Sequence, residues 1–344
     1  MIVTHGPGAV HPASPGSALT IGNFDGVHTG HQAMLDMVKS VARSRSLRSC
    51  VLTFEPHPRE VFSPADAPTR LTSMREKMEL LSGQGIEHTH VAKFTHEFAA
   101  LSPQAFVERL LVGKLGARWI LVGDDFRFGA KRAGDFAALR DLGQQYGFEV
   151  ETMPTVTRAG ARVSSSVIRA SLAAGDLARA KEFLGRNYGI SGRVVHGDKF
   201  GRELGFPTAN VQLDHNRPPL TGIFAVLLHD ENEAPRIGVA SLGTRPTVKP
   251  DDAPAVLEVH LFDFSGDLYG HHVRVEFIEK LRDEEKYPDL EILKAQIAKD
   301  CAVARDMLAR HALRDVSGNA SQNAGAPASG DVPVSAAAGR KTNG

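Results

Sequence analysis

Ile21-Gly22-Asn23-Phe24-Asp25-Gly26-Val27-His28-Thr29-Gly30-His31 follows a short apolar run, Ala18-Leu19-Thr20-Ile21, and leads into a segment with Met34, Met37, Val38 and Val41 on one helical face. The order is strand, glycine-rich turn, helix. A turn so placed meets the free N–H groups and positive dipole end of the helix, which together attract phosphate. Gly22, Gly26 and Gly30 let the backbone approach a ligand closely. His28 and His31 flank the helix start and can point at one phosphate, as donors that stabilise charge building on phosphorus. Taken as four residues alone, His-x-Gly-His is equally a pair of surface histidines in a glycine loop.

The chain has 344 residues, enough for two cored domains, with the apolar and charged fractions of an ordinary soluble protein. Forty basic residues balance forty acidic ones, so no global field favours nucleic acid or a membrane. Cys50 and Cys301 fit no metal-binding spacing, and Cys50 reads as a small buried thiol in a strand. No apolar run is long enough to span a bilayer and the start lacks a signal-peptide pattern, which predicts a cytoplasmic protein.

From Ala18 to about residue 186 the pattern alternates. Strand-like runs recur at 50–54, 88–91, 119–122 and 148–150, with helix-like segments at about 31–45, 73–83, 102–114 and 134–146. Alternation of this kind predicts a Rossmann-like α/β domain, a parallel sheet covered on both faces that binds ligands at the carboxyl ends of its strands. Those ends carry Phe54-Glu55-Pro56-His57-Pro58-Arg59 and Gly123-Asp124-Asp125-Phe126-Arg127-Phe128-Gly129: carboxylates for polar ring edges, aromatics for a flat ring, bases for phosphate. In Ser164-Ser165-Ser166-Val167-Ile168-Arg169 the serines either cap a helix and no more, or cap it while binding phosphate, with Arg169 one turn inside. Asp176 and Gly185 bracket a short closing helix. Residues 1–17, rich in Gly, Pro and Ala, read as a partly ordered lead-in.

The texture changes at Asn187. Short alternating runs at 190–195, 222–228, 236–242, 255–262 and 273–279 predict a compact antiparallel β-barrel over 187–313. A terminal amphipathic helix, about 289–313, carries Leu290, Leu293, Ile297 and Ala298 and is expected to pack on the barrel. In His196-Gly197-Asp198-Lys199-Phe200-Gly201-Arg202-Glu203-Leu204-Gly205-Phe206-Pro207-Thr208-Ala209-Asn210, three glycines let a loop fold closely over phosphates, with Lys199 and Arg202 supplying charge. Thr208 and Asn210 share one face of an extended segment and offer two neutral oxygens, sufficient for Mg²⁺ beside a nucleotide. A proline-bounded edge strand explains Pro207 but not the whole loop. Glu258, mid-strand, reads by itself as an outward, solvated glutamate, although a carboxylate there can also face the barrel mouth. Residues 314–344, without aromatics, are expected to be disordered.

Gly22 to His31 resembles the adenylyltransferase half of the bacterial bifunctional riboflavin kinase/FAD synthetases, and Gly197 to Asn210 resembles the riboflavin kinase signature of the same family. The resemblance covers about residues 18 to 312. It implies two activities: ATP and riboflavin give FMN and ADP in the barrel, then ATP and FMN give FAD and diphosphate in the amino-terminal domain (18–186). It implies ATP contacts from Gly22, Asn23, Phe24, Asp25, His28, His31, Ser164, Ser165 and Arg169, and flavin contacts from Phe54, His57, Pro58, Asp125, Arg127 and Phe128, with Asp125 at the isoalloxazine. In the barrel it implies nucleotide contacts from Gly197, Lys199, Gly201, Gly205, Pro207, Thr208 and Asn210, and Mg²⁺ on Thr208 and Asn210. Glu258 falls at the catalytic base, and Thr244, Arg245, Pro246 and Arg282 lie near the flavin. Ser166 stands where threonine is expected and Tyr287 where phenylalanine is expected, each keeping the hydroxyl or the ring. The partners implied are small molecules, with no nucleic acid and no membrane, for a monomer or weak homo-oligomer. Two rivals are an adenylyltransferase for another phosphorylated substrate, which leaves Thr208, Asn210 and Glu258 unexplained, and a non-catalytic flavin-binding protein, which leaves His28, His31 and Glu258 unexplained.

Overall fold

The structure, a computed structural model, describes residues 1–6, 15–197, 200–214, 217–231, 233–244 and 255–323. Lys199, Arg245 and Pro246 lie outside them. Strands β1 (Ile2–His5), β2 (Ser17–Ile21), β3 (Arg48–Glu55), β4 (His88–Lys93), β5 (Ala117–Gly123) and β6 (Glu149–Met153) form one parallel sheet in the order β1-β4-β3-β2-β5-β6. The predicted parallel sheet is present. Alternation along β2 explains its two coats: Ala18 faces Val38 and Ala42 of the helix Thr29–Ser44, while Leu19 and Ile21 face Phe106, Leu111 and Leu139 on the other side. The strand order reverses around β2, where ligands bind in open α/β sheets.

Three expectations need correction. The lead-in contributes β1, because Ile2 to His5 pair in register with His88 to Val91 at the sheet edge. The helix expected over 102–114 is a single turn, Pro103–Phe106, continued as a π-helix, Val107–Val112. The carboxy-terminal helix, Leu290–Asn323, runs past residue 313 into the stretch expected to be disordered, with no proline to stop it before Pro327. Ile297 packs on the barrel as expected, but Leu290 is 53% exposed, and Cys301, Ala304 and Leu308 carry the rest of the contact.

A small hairpin of β7 (Thr157–Arg158) and β8 (Ala161–Arg162) follows the sheet. The closing helix Leu177–Leu184 is capped by Asp176 and ends at Gly185 with φ 72°, as its sequence predicts. Strands β9 (Gly189–Val195), β10 (Ala209–Gln212), β11 (Gly222–Asp230), β12 (Arg236–Thr244), β13 (Ala255–Leu261) and β14 (His272–Arg282) close into an antiparallel barrel. Val211, Phe224, Val226, Leu257, Val259, Val275 and Phe277 fill it, and the same core continues through Leu71, Ile168, Leu172 and Phe183 of the preceding α/β unit. Ser191 N–H of β9 donates to the buried Glu76 carboxylate at 2.6 Å, and burial raises the Glu76 pKa. Sheet and barrel are thus joined by one apolar core and a buried polar contact.

The sheet also buries histidines. Thr4 Oγ1 lies 2.8 Å from His88 Nε2 and 2.9 Å from His90 Nδ1, joining β1 to β4. Burial lowers the His88 pKa and takes those of His90 and His28 to about 4. These groups are neutral when folded and take up protons from about pH 6.5 when unfolded. Their stabilisation is complete above that pH and is lost as pH falls towards 4, by up to about 3 kcal/mol for each of His28 and His90. Urea midpoints measured from pH 7.5 to 4.5 are expected to fall steeply below 6.5. A flat profile would mean that these imidazoles take up protons at the same pH in the folded and the unfolded chain.

Candidate active sites

The turn after β2 is fixed atom by atom. Phe24, Gly26 and Val27 take φ values of 49°, 82° and 39°, a run that costs free energy for the two non-glycine residues unless surrounding contacts hold it. Those contacts are present. Asn23 C=O accepts from Thr53 Oγ1 at 3.1 Å, Phe24 C=O from Val27 N–H at 3.3 Å, and Asp25 C=O from Ser165 Oγ at 2.9 Å. Gly26 C=O accepts from Arg186 Nη2 at 2.8 Å, and Val27 C=O from Gln32 Nε2 at 2.9 Å. The Asp25 carboxylate, 5% exposed, accepts from the backbone N–H of Leu71 and Thr72 and the hydroxyl of Thr72, and pairs with Arg169 Nη2. Asp25 therefore orders the turn and aims Arg169. Its carboxylate is already engaged within the protein.

His28 caps the helix Thr29–Ser44: its Nδ1 accepts from His31 N–H at 3.2 Å, so the neutral ring carries its proton on Nε2. The His28 and His31 rings stack 3.6 Å apart, and His31 lies 4.8 Å from Phe24. Burial lowers the His31 pKa as it does that of His28. Both are neutral at pH 7, so each offers one N–H rather than a full charge. His31 Nδ1 is buried without a protein partner.

A cavity of about 880 Å³ lies at the carboxyl ends of β2, β3 and β5. It gathers Gly22, Asn23, Phe24, Asp25, His31, Phe54, His57, Pro58, Asp125, Arg127, Phe128, Ser165 and Arg169 of the predicted set, whereas His28 and Ser164 stand behind its wall. Ser164 caps the helix Ser165–Ala173. Five cations line the cavity, Arg59, Arg127, Lys131, Arg132 and Arg169, against two acids, Asp25 and Asp125, so it favours anions. One wall is apolar. Phe54, Phe62, Phe94, Phe98, Phe106, Phe126 and Phe128 line it, with successive ring centroids 5.5 to 6.1 Å apart. Such a surface takes a flat ring. Asp125 sits at the rim with its carboxylate 2.9 Å from Arg162 of the hairpin. His57 Nδ1 accepts from Arg59 N–H at 3.2 Å, capping the short helix Pro58–Phe62.

In the barrel, Asn210 of β10 stands opposite Glu258 of β13, and Glu258 stands opposite Ser241 of β12. Leu257 and Val259 point into the core, so alternation sets Glu258 and Asn210 on the outer face. A Cβ at Gly197 would collide with the Asn210 amide, and one at Gly201 would lie 2.5 Å from Phe206 C=O and 3.3 Å from Thr208 Oγ1. The glycine loop therefore folds directly over Thr208 and Asn210. Gly205 has φ 88° and turns the chain into Phe206-Pro207, where Pro207 C=O contacts His260 Nδ1 at 2.9 Å. A second pocket, about 290 Å³, opens beside this loop and includes Arg202, Pro207 and Thr208. Among the described residues no three His, Cys, Asp or Glu side chains cluster to hold a metal. Thr244 ends β12. The Arg282 guanidinium is engaged by Asp300 on the carboxy-terminal helix at 2.8 Å, and this position anchors that helix.

Sequence reasoning missed Arg186, Gln32 and Thr72, which hold the turn, and Phe62, Phe94 and Phe98 of the wall. Arg186 had a legible signal, a lone cation directly after the capping Gly185. The phenylalanines had none, being dispersed over two short helices and the loop that precedes the second of them.

Comparison with known proteins separates the two halves of the chain. Residues 10–167 match the family described as FAD synthetase and residues 184–308 the family described as riboflavin kinase. The bifunctional riboflavin kinase/FMN adenylyltransferase of Escherichia coli strain K12 is 47% identical over 85% of this chain and 92% of its own length. The enzymes of the same description from Pseudomonas fluorescens and Haemophilus influenzae are 46% and 44% identical, over 89% and 84% of this chain and 97% and 94% of their own. A crystal structure described as a macrolide-efflux protein from Streptococcus pneumoniae is similar with a TM-score of 0.75 and 28% identity, over 89% of this chain and 99% of that one. Among the described residues no helix is long and apolar enough to cross a membrane.

Proposed function

This chain belongs to the family of bifunctional riboflavin kinase/FMN adenylyltransferases, and on that premise we propose how its residues divide the two reactions between the 880 Å³ cavity and the outer face of the barrel. The enzyme phosphorylates riboflavin with ATP and then joins FMN to the adenylyl group of a second ATP. The domain boundary is assigned to residues 186/187, with the adenylyltransferase before it and the kinase after it.

In the cavity, the FMN phosphate is already ionised, so its oxygen attacks the ATP α-phosphorus without a protein base. The new O–P bond forms as the bond to the β-phosphate bridging oxygen breaks, and diphosphate leaves. Neutral His31 donates N–H to the charge that develops there, and His28 behind it holds it in place by ring stacking and by accepting from its backbone N–H, while Ser165, Ser166 and Arg169 align the phosphates. The phenylalanine wall takes the isoalloxazine, with Asp125 at its polar edge. On the barrel, Glu258 takes the proton of the riboflavin 5′-hydroxyl as the oxygen attacks the γ-phosphorus and ADP leaves. Thr208 and Asn210 would hold Mg²⁺, which would neutralise phosphate charge there; the tight cover of Gly197 on Asn210 suits so small a cradle.

The observation carrying this reading is the meeting of His31, Ser165, Ser166 and Arg169 with a phenylalanine wall in one cation-lined cavity at the sheet's switch point. The test is a chromatographic time course with riboflavin, ATP and Mg²⁺, repeated with FMN in place of riboflavin. FMN should appear before FAD, and His28→Ala should stop at FMN. Continued FAD formation by His28→Ala would refute the assignment of adenylyl transfer to this cavity.

A further inference from the structure

We propose that Arg186 is a positioning residue for adenylyl transfer, acting from the segment that leads into the barrel by holding the carbonyl groups that precede His28. The inference rests on the assignment of His28 to that reaction.

Arg186 is part-buried beneath the turn. Its Nη2 donates to Gly26 C=O at 2.8 Å, and its Nη1 to Val27 C=O and Leu184 C=O at 3.3 Å each. Gln32 Nε2 reaches the same Val27 and Leu184 carbonyls at 2.9 and 2.8 Å. The two side chains thus staple the end of the closing helix to the turn, and among the described residues Arg186 alone serves Gly26 C=O. The peptide groups held are those between Gly26 and His28, where φ is 82° and then 39°. A positive φ at Val27 is unfavourable for a β-branched residue, so relaxation of this backbone would swing the imidazole that follows. A planar guanidinium presents its donors in a rigid, spread fork that spans divergent carbonyls, whereas an ammonium offers its three donors from a single point. Arg186 touches no cavity-lining position assigned to substrate; it acts through the backbone of His28.

The charge has a second effect. The groups facing His28 are Asp25 and Arg169 beside the turn, His31 one helical turn on, and Arg186 from below. Burial is the main cause of the lowered His28 pKa, Asp25 opposes it, and the two arginines add to it. Removing the Arg186 charge lets His28 gain a proton at higher pH.

The test uses full-length wild type, Arg186→Met, Arg186→Lys and His28→Ala, each assayed for riboflavin phosphorylation and, with supplied FMN, for FAD formation across pH 5 to 8. For Arg186→Met the expected result is a 10- to 100-fold fall in kcat for FAD formation with KM within about threefold, and riboflavin phosphorylation within twofold. Arg186→Lys should recover part of kcat. Unchanged FAD formation in Arg186→Met beside an inactive His28→Ala would overturn the inference and leave the cavity assignment standing. Equal loss of both activities would overturn it as well, by making Arg186 a general support of the fold. An active His28→Ala would instead remove the assignment on which the inference rests.

Discussion

Replacing Glu258 by glutamine is expected to slow riboflavin phosphorylation by about 10² to 10⁴-fold, the range that a positioned general base contributes, while FMN adenylylation by the same protein stays at the wild-type rate. Glutamine keeps the shape and hydrogen-bonding capacity of glutamate and loses only its basicity. Glu258 stands on the outer face of the barrel, across from Asn210 and Ser241, so the change leaves the Leu257 and Val259 core contacts intact. The loss should fall on kcat, because proton transfer is made in the transition state, with little change in KM. Chromatography of a reaction started from riboflavin should show almost no FMN, and adding FMN should restore FAD. Phosphorylation within tenfold of wild type would mean that another group, or water alone, receives the proton.

The second large effect is expected at Asp25. Asp25→Asn keeps the side chain's size but leaves Arg169, itself mostly buried, without its anionic partner, and turns an acceptor towards backbone N–H groups into a partial donor. Breaking a buried charge pair by removing one member typically costs about 3–5 kcal/mol. The carboxylate also ties the Leu71–Thr72 backbone to the turn, so FAD formation should fall at least about 100-fold with phosphorylation of riboflavin retained. A double-mutant cycle with Arg169→Met, read by urea denaturation, should give a coupling of about 2 kcal/mol or more. Additive single effects would show that the pair is not what holds the turn.

Much of this architecture is legible in local sequence. The strand-turn-helix at residues 18–44, the capping of 177–184 by Asp176 and Gly185, and the buried thiol of Cys50 each follow from neighbours in the chain, and each is found. What stayed illegible depends on partners remote in sequence. Ile2 to His5 become a strand only because β4, more than eighty residues later, offers an edge with two histidines that share Thr4. Asp25 finds Leu71, Thr72 and Arg169, its hydrogen-bond partners, only through the fold. Arg282 likewise meets Asp300 only once the carboxy-terminal helix docks. The outward direction of Glu258 does follow from the alternation Leu257, Glu258, Val259. Its place beside Asn210 requires the closure of the barrel.

The apolar core that runs from Leu71 and Phe183 into Phe224 and Phe277 joins the two catalysts. Cutting the chain near residue 187 would expose apolar surface on both fragments. Every molecule that folds therefore brings one kinase and one adenylyltransferase into the cell together. Their dosage is locked at one to one by the fold itself, and any imbalance between FMN and FAD production must be set by substrate supply or turnover rate, not by the amount of either catalyst.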